Sequence, residues 1–122
     1  MTTSSLLPNF LGGQWQTGTG EGTPLFDPVL GTELARVSSA GLDLAAGFRF
    51  AREQGGRALR ALSYGERAGL LAAIVKVLQA HRDAYGEIAT ANSGTTAKDS
   101  AVDIDGGIFT LGFYAKQGES LG

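Results

Sequence analysis

The chain has 122 residues, a formal net charge of −2, and 43% hydrophobic and 18% charged residues. That length suits one ordinary domain, and this balance of apolar and charged residues favours a globular core over disorder. A slightly acidic chain lacks the electrostatic footprint of a nucleic-acid-binding protein. No apolar run approaches the roughly 20 residues that a membrane span needs.

Two residue counts narrow the chemistry further. The chain has no cysteine, which excludes a disulfide, a thiolate metal site and a cysteine nucleophile within these 122 residues. Glycine occurs 19 times, which predicts many tight turns and close backbone approaches. Residues 1–10 have neither a basic start nor a long apolar run, so we predict no signal peptide and a cytoplasmic protein.

Residues 9–37 have the pattern of β-structure. Short apolar stretches alternate with loops, and the sequence GTGEGT at 18–23 joins two of them. Asp27 and Pro28, followed by Gly31, are typical of a turn, because proline presets φ and glycine accepts a positive φ. We predict a lead-in strand that contains Trp15 and one hairpin closed by this turn.

From residue 40 onward, apolar residues recur at helical spacing. A first helix is predicted after Ser39, with Asp43 in its first turn and a glycine pair at 55–56 as its end. Ser63 and Glu66 have the spacing of a capping box, which predicts the start of a second helix. That helix is expected to run without a break to the Asn-Ser-Gly sequence at 92–94.

The second predicted helix is apolar around most of its circumference, which indicates burial on more than one side. Its apolar residues are Leu70, Leu71, Ile74, Val75, Val77 and Leu78. Thr96 and Asp99 have capping-box spacing too, which predicts a final helix. Two or three strands cannot cover three such helices, and exposed apolar surface of this extent usually means a missing partner. We therefore expect the chain to be a piece of a longer protein, cut at a helix boundary.

Few residues suggest catalytic chemistry. GTGEGT lies between predicted strands and lacks the spacing of a dinucleotide fingerprint, so we interpret it as a loop. His81 has the polar neighbours of a helix end, and no nucleophile is placed for it to serve. Asp99, Asp103 and Asp105 are interpreted as acidic residues that favour a helix N-terminus, rather than as a metal site.

The final predicted helix contains four glycines, at 106, 107, 112 and 118. Each glycine in a helix interior costs about 0.8–1 kcal/mol relative to alanine. Tyr114 and Lys116 are two residues apart, so they do not face each other on a helix and do not form a proton-transfer pair. No set of nucleophile, base and oxyanion donors can be assembled from the chain.

Four short motifs resemble the N-terminal part of an aldehyde dehydrogenase. GGQW at 12–15 resembles the family's early strand, and DPVLG at 27–31 resembles its Asn/Asp-Pro-x-x-Gly turn. FYA at 113–115 resembles the aromatic pair and alanine that end one of its helices. NSGTT at 92–96 is similar to the variant found in the CoA-linked semialdehyde dehydrogenases of aerobic aromatic degradation.

The resemblance implies an α/β fold in which residues 1–122 form the N-terminal part of the NAD(P)-binding region. In this fragment a β-hairpin precedes three or four helices, and the catalytic domain is absent. The family oxidises aldehydes to acids with NAD or NADP, through a cysteine thiolate, and forms homo-oligomers. None of those catalytic or cofactor-binding groups maps onto this chain. The chain alone is therefore expected to bind no cofactor, to be inactive, and to need the remainder of its own polypeptide as a partner.

The resemblance also implies that one face of the last helix borders the substrate tunnel. Val102, Gly106, Phe109 and Phe113 follow i, i+4, i+7 and i+11 and share that face. Glycine at 106 would widen the tunnel entrance for a CoA-linked aldehyde. The alternative is that Gly106 and Gly107 only allow close helix packing. An alternative for the whole chain is a non-catalytic helical interaction or oligomerisation module derived from an aldehyde dehydrogenase. Neither hypothesis involves a metal, a nucleic acid or a membrane.

Overall fold

The structure is a computed structural model that describes residues 5–122. Residues 1–4, which begin the segment searched above for a signal peptide, lie outside that range. The described chain divides into two compact units, the first ending at Arg57 and the second spanning Ala58–Gly122. Within the described range, no helix combines the length and the hydropathy needed to cross a lipid bilayer.

The first unit contains two antiparallel β-hairpins rather than the one hairpin and lead-in strand predicted above. Its strands are β1 (Asn9–Leu11), β2 (Gln14–Gln16), β3 (Thr23–Phe26) and β4 (Glu33–Val37). β1 and β2 pair around Gly12 and Gly13, whose φ values are 61° and 79°. A two-residue hairpin turn with positive φ at both positions matches the twist of the strands. The glycine pair therefore makes the expected lead-in strand a hairpin of its own.

The turn between β3 and β4 is built on Asp27, as the sequence predicted. Its carboxylate oxygen Oδ1 accepts the backbone N–H groups of Val29 and Leu30, at 2.8 and 2.9 Å. Its backbone carbonyl accepts the N–H of Gly31 at 2.9 Å, and Gly31 has a φ of 68°. The Asp27 side chain is buried. This single residue therefore organises the loop through both its side chain and its main chain.

We predict that Asp27→Ala destabilises this turn by about 2 kcal/mol, because two backbone N–H groups lose a charged acceptor. Asp27→Asn keeps one side-chain oxygen in place and is the matched control, with a smaller expected loss. Hydrogen exchange of the Val29 and Leu30 amides measures both. Unchanged protection of these amides in Asp27→Ala would show that the carboxylate does not hold the turn.

The first helical segment is longer than the sequence predicted. It consists of α1 (Leu44–Phe50), a π-helical turn (Ala51–Gly55) and α2 (Gly56–Ala61). Asp43 is the N-cap and accepts the N–H of Ala46 at 2.9 Å. The prediction that the glycine pair ends the helix was wrong: Gly56 has helical φ and ψ, and its N–H bonds the carbonyl of Ala51. The wider π turn keeps that backbone hydrogen-bonded, so the glycines need not break the helix.

The second unit contains three longer helices. They are α3 (Tyr64–Ala80), α4 (Arg82–Ser93) and α5 (Ala97–Leu121). The capping box is confirmed: Glu66 N–H donates to Ser63 Oγ at 3.1 Å, and Ser63 N–H donates to Glu66 Oε2 at 2.7 Å. The single long helix predicted after Ser63 is split at His81, where φ is −113° and ψ is 14°. Gly94 ends α4 in the left-handed conformation.

α5 packs mainly against α3. The buried residues Ala68 of α3 and Ala115 of α5 lie in this interface. Gly118 is the point of closest approach, since a Cβ there would lie 2.9 Å from the Cβ of Ala68 and 3.2 Å from the carbonyl oxygen of Tyr64. Small side chains at these positions let the two backbones approach closely. Close packing therefore accounts for one of the four glycines of α5.

α3 is apolar on two sides, as predicted. Ala68 is buried on the side that meets α5, whereas Leu70, Ile74 and Val77 are about half exposed, at 47%, 47% and 55%. Their spacing of four and three places these three residues on one face of the helix. Within the second unit this apolar face is only partly covered.

Candidate functional site

The four residues predicted to border a substrate tunnel lie on one exposed face of α5. Val102, Phe109 and Phe113 expose 64%, 74% and 49% of their surface, and Gly106 is also exposed. Ser100 and Ala115, on the opposite side of the helix, are buried. The structure thus brings the four residues together on the side of α5 that faces away from its packed side. Their role as a tunnel wall stays a prediction.

Three glycines of α5 have no packing reason within the described chain. A Cβ added at Gly106, Gly107 or Gly112 would meet no atom within 4 Å beyond the local helix backbone. Gly118, in contrast, is held against α3. The explanation that Gly106 and Gly107 permit close helix packing therefore finds no partner helix among residues 5–122. Open space at Gly106 is the arrangement that a widened passage requires.

An ion pair ties α5 to the start of α4. Arg82 donates from Nε to Asp105 Oδ1 at 2.5 Å and from Nη2 to Asp105 Oδ2 at 2.6 Å. The hydrogen bond from Arg82 lowers the pKa of Asp105, and the same hydrogen bond raises the pKa of Arg82. Two parallel bonds between a planar guanidinium and a carboxylate specify orientation as well as distance. The pair therefore helps to orient the turn of α5 that carries Gly106.

Three hydroxyl groups form a hydrogen-bonded cluster at the junction between α4 and α5. Ser100 is 1% exposed, and its Oγ lies 2.8 Å from Thr90 Oγ1 and 2.7 Å from Thr95 Oγ1. Thr96 caps α5 by accepting the N–H of Asp99 at 3.2 Å. The predicted second capping box is half formed, because the Asp99 side chain accepts from the Thr96 hydroxyl rather than from its backbone. Sequence reasoning missed the buried hydroxyl cluster because its members lie up to ten residues apart.

An apolar groove of about 540 Å³ lies where α5 meets α3 and α4, and none of the four face residues lines it. Its lining includes Leu78, Ile104, Ile108 and Leu111, with Tyr85 and Asp103 at its polar positions. The helical spacing of the apolar residues on α5 was visible in the sequence. The concavity was not, because it depends on the break at His81 that separates α3 from α4.

The structure places the remaining candidates as follows, and their non-catalytic interpretations stay predictions. GTGEGT joins β2 to β3 and is followed by a strand, so it does not form the strand-to-helix cradle of a dinucleotide. His81 is exposed at the boundary between α3 and α4. Among residues 5–122, no group of three or more acidic or histidine side chains is placed to hold a metal ion.

Comparison with known proteins assigns the chain to a class. The profile of the aldehyde dehydrogenase family matches residues 15–122, so the chain belongs to the aldehyde dehydrogenase family. A 3,4-dehydroadipyl-CoA semialdehyde dehydrogenase of Aromatoleum evansii is 53% identical to it over 116 residues. That alignment covers 95% of this chain and 22% of the relative. Both the family resemblance and its narrower form are confirmed, and the chain spans about a fifth of the relative's length.

Proposed function

We propose that the chain is the N-terminal part of the NAD(P)-binding region of a cytoplasmic aldehyde dehydrogenase that oxidises a CoA-linked semialdehyde to its acid. Two findings support the proposal: the family match, and the 53% identity to an enzyme named for such a substrate. The low coverage of that relative supports the view that the rest of the polypeptide supplies the catalytic domain. The complete enzyme forms homo-oligomers, as is general in the family.

The role proposed for α5 is to form one wall of the substrate passage. The single observation that carries this role is the open space at Gly106, on the same face as Val102, Phe109 and Phe113. Apolar walls exclude water from the passage, and a missing side chain leaves room for a bulky substrate. The Arg82–Asp105 pair and the Ser100 hydroxyl cluster both fix α5 to α4, the cluster near the first turn of α5 and the ion pair further along it.

The glycine-rich loop runs from strand to strand, which is not the strand-to-helix arrangement of a dinucleotide fingerprint. The chain also has no cysteine to act as a thiolate. We therefore assign no step of the oxidation to this chain. Its contribution is binding and orientation: it shapes the passage and presents apolar surface to the remainder of the enzyme.

We predict that the purified 122-residue chain neither oxidises aldehydes nor binds NAD or NADP. Its uncovered apolar faces are expected to bind the dye ANS and to promote aggregation. Calorimetry with each cofactor, a turnover assay and ANS fluorescence check these points. Micromolar cofactor affinity would contradict the placement of the cofactor contacts elsewhere, and turnover would overturn the proposal.

A second function is favoured by one observation, the uncovered face of α3 formed by Leu70, Ile74 and Val77. A helical interaction module would use this face to self-associate. Analytical ultracentrifugation of the 122-residue chain separates the two ideas. A discrete oligomer with a cooperative melt and no ANS binding would favour the module, whereas heterogeneous aggregation would favour the enzyme fragment.

A further inference from the structure

An aromatic ring on α1 lies open to solvent. Phe48 is 76% exposed, although it is one of two phenylalanines only two residues apart. The other, Phe50, packs its ring over the β1–β2 turn, where a Cβ on Gly13 would lie 3.5 Å from the Phe50 ring. The hairpin turn thus contacts the Phe50 ring, which stays partly exposed, whereas Phe48 is the more exposed of the two. An exposed ring of this kind offers a flat apolar surface to a ligand.

Three arginines follow this ring along the same helical segment, and Arg52 is the one whose spacing makes it a direct neighbour of Phe48. Arg49 and Arg52 are three apart, and Phe48 and Arg52 are four apart, which makes each pair neighbours on a helix. Arg57 follows Arg52 by five residues across the π turn, whose hydrogen bonds also span five residues. The turn therefore places Arg57 above Arg52, whereas an uninterrupted α-helix would rotate it away. Turns of this type occur frequently at functional sites.

The charges on this face are unpaired within the described chain. Arg49, Arg52 and Arg57 are exposed, and none of them forms an ion pair among residues 5–122. Glu53, the acidic residue of the π turn, is likewise exposed and in no ion pair there. Three guanidinium groups against one carboxylate leave a local excess of positive charge. Guanidinium groups match the geometry of phosphate oxygens, and aromatic rings stack on nucleobases.

We propose that Phe48, Arg49, Arg52 and Arg57 bind the adenosine phosphate end of the CoA carrier. The inference rests on the proposed function, because it assumes a CoA-linked substrate. Phe48 stacks on the adenine, and the arginines pair with the phosphate groups. The aldehyde end of the substrate is not involved, so this face affects binding of the carrier and not the chemical step.

The test uses the full-length protein that carries these residues, with free CoA as the probe in calorimetry. Arg52→Gln and Arg57→Gln are each expected to raise the Kd for CoA about two- to fivefold, the range of an exposed ion pair. Phe48→Leu keeps an apolar side chain and is expected to weaken CoA binding without lowering the melting temperature. Lys76→Gln, which removes one exposed positive charge from α3, is the matched control and should leave the Kd unchanged.

Dephospho-CoA and NADP are the comparison ligands, because each carries an adenosine with phosphate groups and either CoA or NADP could be the ligand of this face. Loss of the preference for CoA over dephospho-CoA in the arginine variants would support the proposal. Weaker NADP binding with unchanged CoA binding would overturn it and make this face a cofactor surface. Unchanged CoA binding together with a lower melting temperature in Phe48→Leu would overturn it as well, because the ring would then be packing against the rest of the enzyme.

If the variants bind CoA normally while the enzyme still oxidises CoA-linked aldehydes, only this inference fails. If the wild-type protein neither binds CoA nor oxidises such aldehydes, the proposed function fails too.

Discussion

Gly106→Met in the full-length enzyme should raise KM for a CoA-linked aldehyde about tenfold and change KM for a short aldehyde less than twofold. Gly106 lies on the exposed face of α5 with Val102 and Phe109, and beyond the local helix backbone no atom of the described chain lies within 4 Å of the position its Cβ would take. A methionine side chain there would project into the proposed passage. A tenfold change corresponds to about 1.4 kcal/mol, within the range of steric exclusion in a binding pocket. Steady-state kinetics with the two substrates measures the effect.

The matched control is Gly107→Met, which adds the same side chain one residue along the helix. Adjacent residues point in different directions, so this substitution leaves the face of Gly106 open. Gly107 lines the apolar groove next to α3 and α4 instead. The expected result is little change in the ratio of the two KM values. Equal effects of Gly106→Met on both substrates would remove the argument that this glycine serves the passage.

Gly118→Leu should destabilise the helical unit by about 1–2 kcal/mol, the overpacking cost less the gain in helix propensity. A Cβ added at this position would lie 2.9 Å from the Cβ of Ala68, closer than side chains pack. The larger side chain must push α5 away from α3, and overpacking of this kind typically costs 1–3 kcal/mol. The gain in helix propensity on replacing glycine, about 0.8 kcal/mol, offsets only part of that loss. Hydrogen exchange of the α5 backbone amides in the full-length protein measures the difference.

Gly112→Leu is the control for this second experiment. It makes the same exchange in the same helix, at a position where an added Cβ meets no atom within 4 Å. Only the higher helix propensity of leucine then affects the free energy of unfolding, and the variant should be more stable than the wild type by about 0.5–0.8 kcal/mol. Similar destabilisation by both substitutions would mean that glycine at 118 is not required by the contact with Ala68.

Local signals predicted the elements of the fold well where short-range chemistry decides them. The Asp27 turn, the Ser63–Glu66 capping box and the αL glycine at 94 each satisfy backbone groups within a few residues, so their patterns are visible in the sequence. The errors fall where geometry depends on longer-range hydrogen bonding. The π turn carries the helix through the glycine pair at 55–56. His81 interrupts a helical segment at a point with no glycine or proline within four residues on either side. The two-hairpin arrangement was missed because Gly12 and Gly13 were assigned to a strand rather than to a turn.

The candidate site divides in the same way. The periodicity of Val102, Gly106, Phe109 and Phe113 placed them on one face before the structure was known, because helical geometry is regular. The Arg82–Asp105 pair, 23 residues apart, and the hydroxyl cluster around Ser100 became visible only in three dimensions. No spacing rule links residues that distant helices bring together.

By itself, the sequence determined the family, the succession of a β-rich part and a helical part, and the absence of a cysteine nucleophile from these residues, since each depends on residue identity or short-range pattern. Only the tertiary structure decided which glycine of α5 serves packing. Gly118 and Gly106 have similar helical surroundings in the sequence, but one approaches Ala68 and the other faces open space. Helix propensity depends on the local chain, whereas the space beyond a Cβ depends on which helix packs against it.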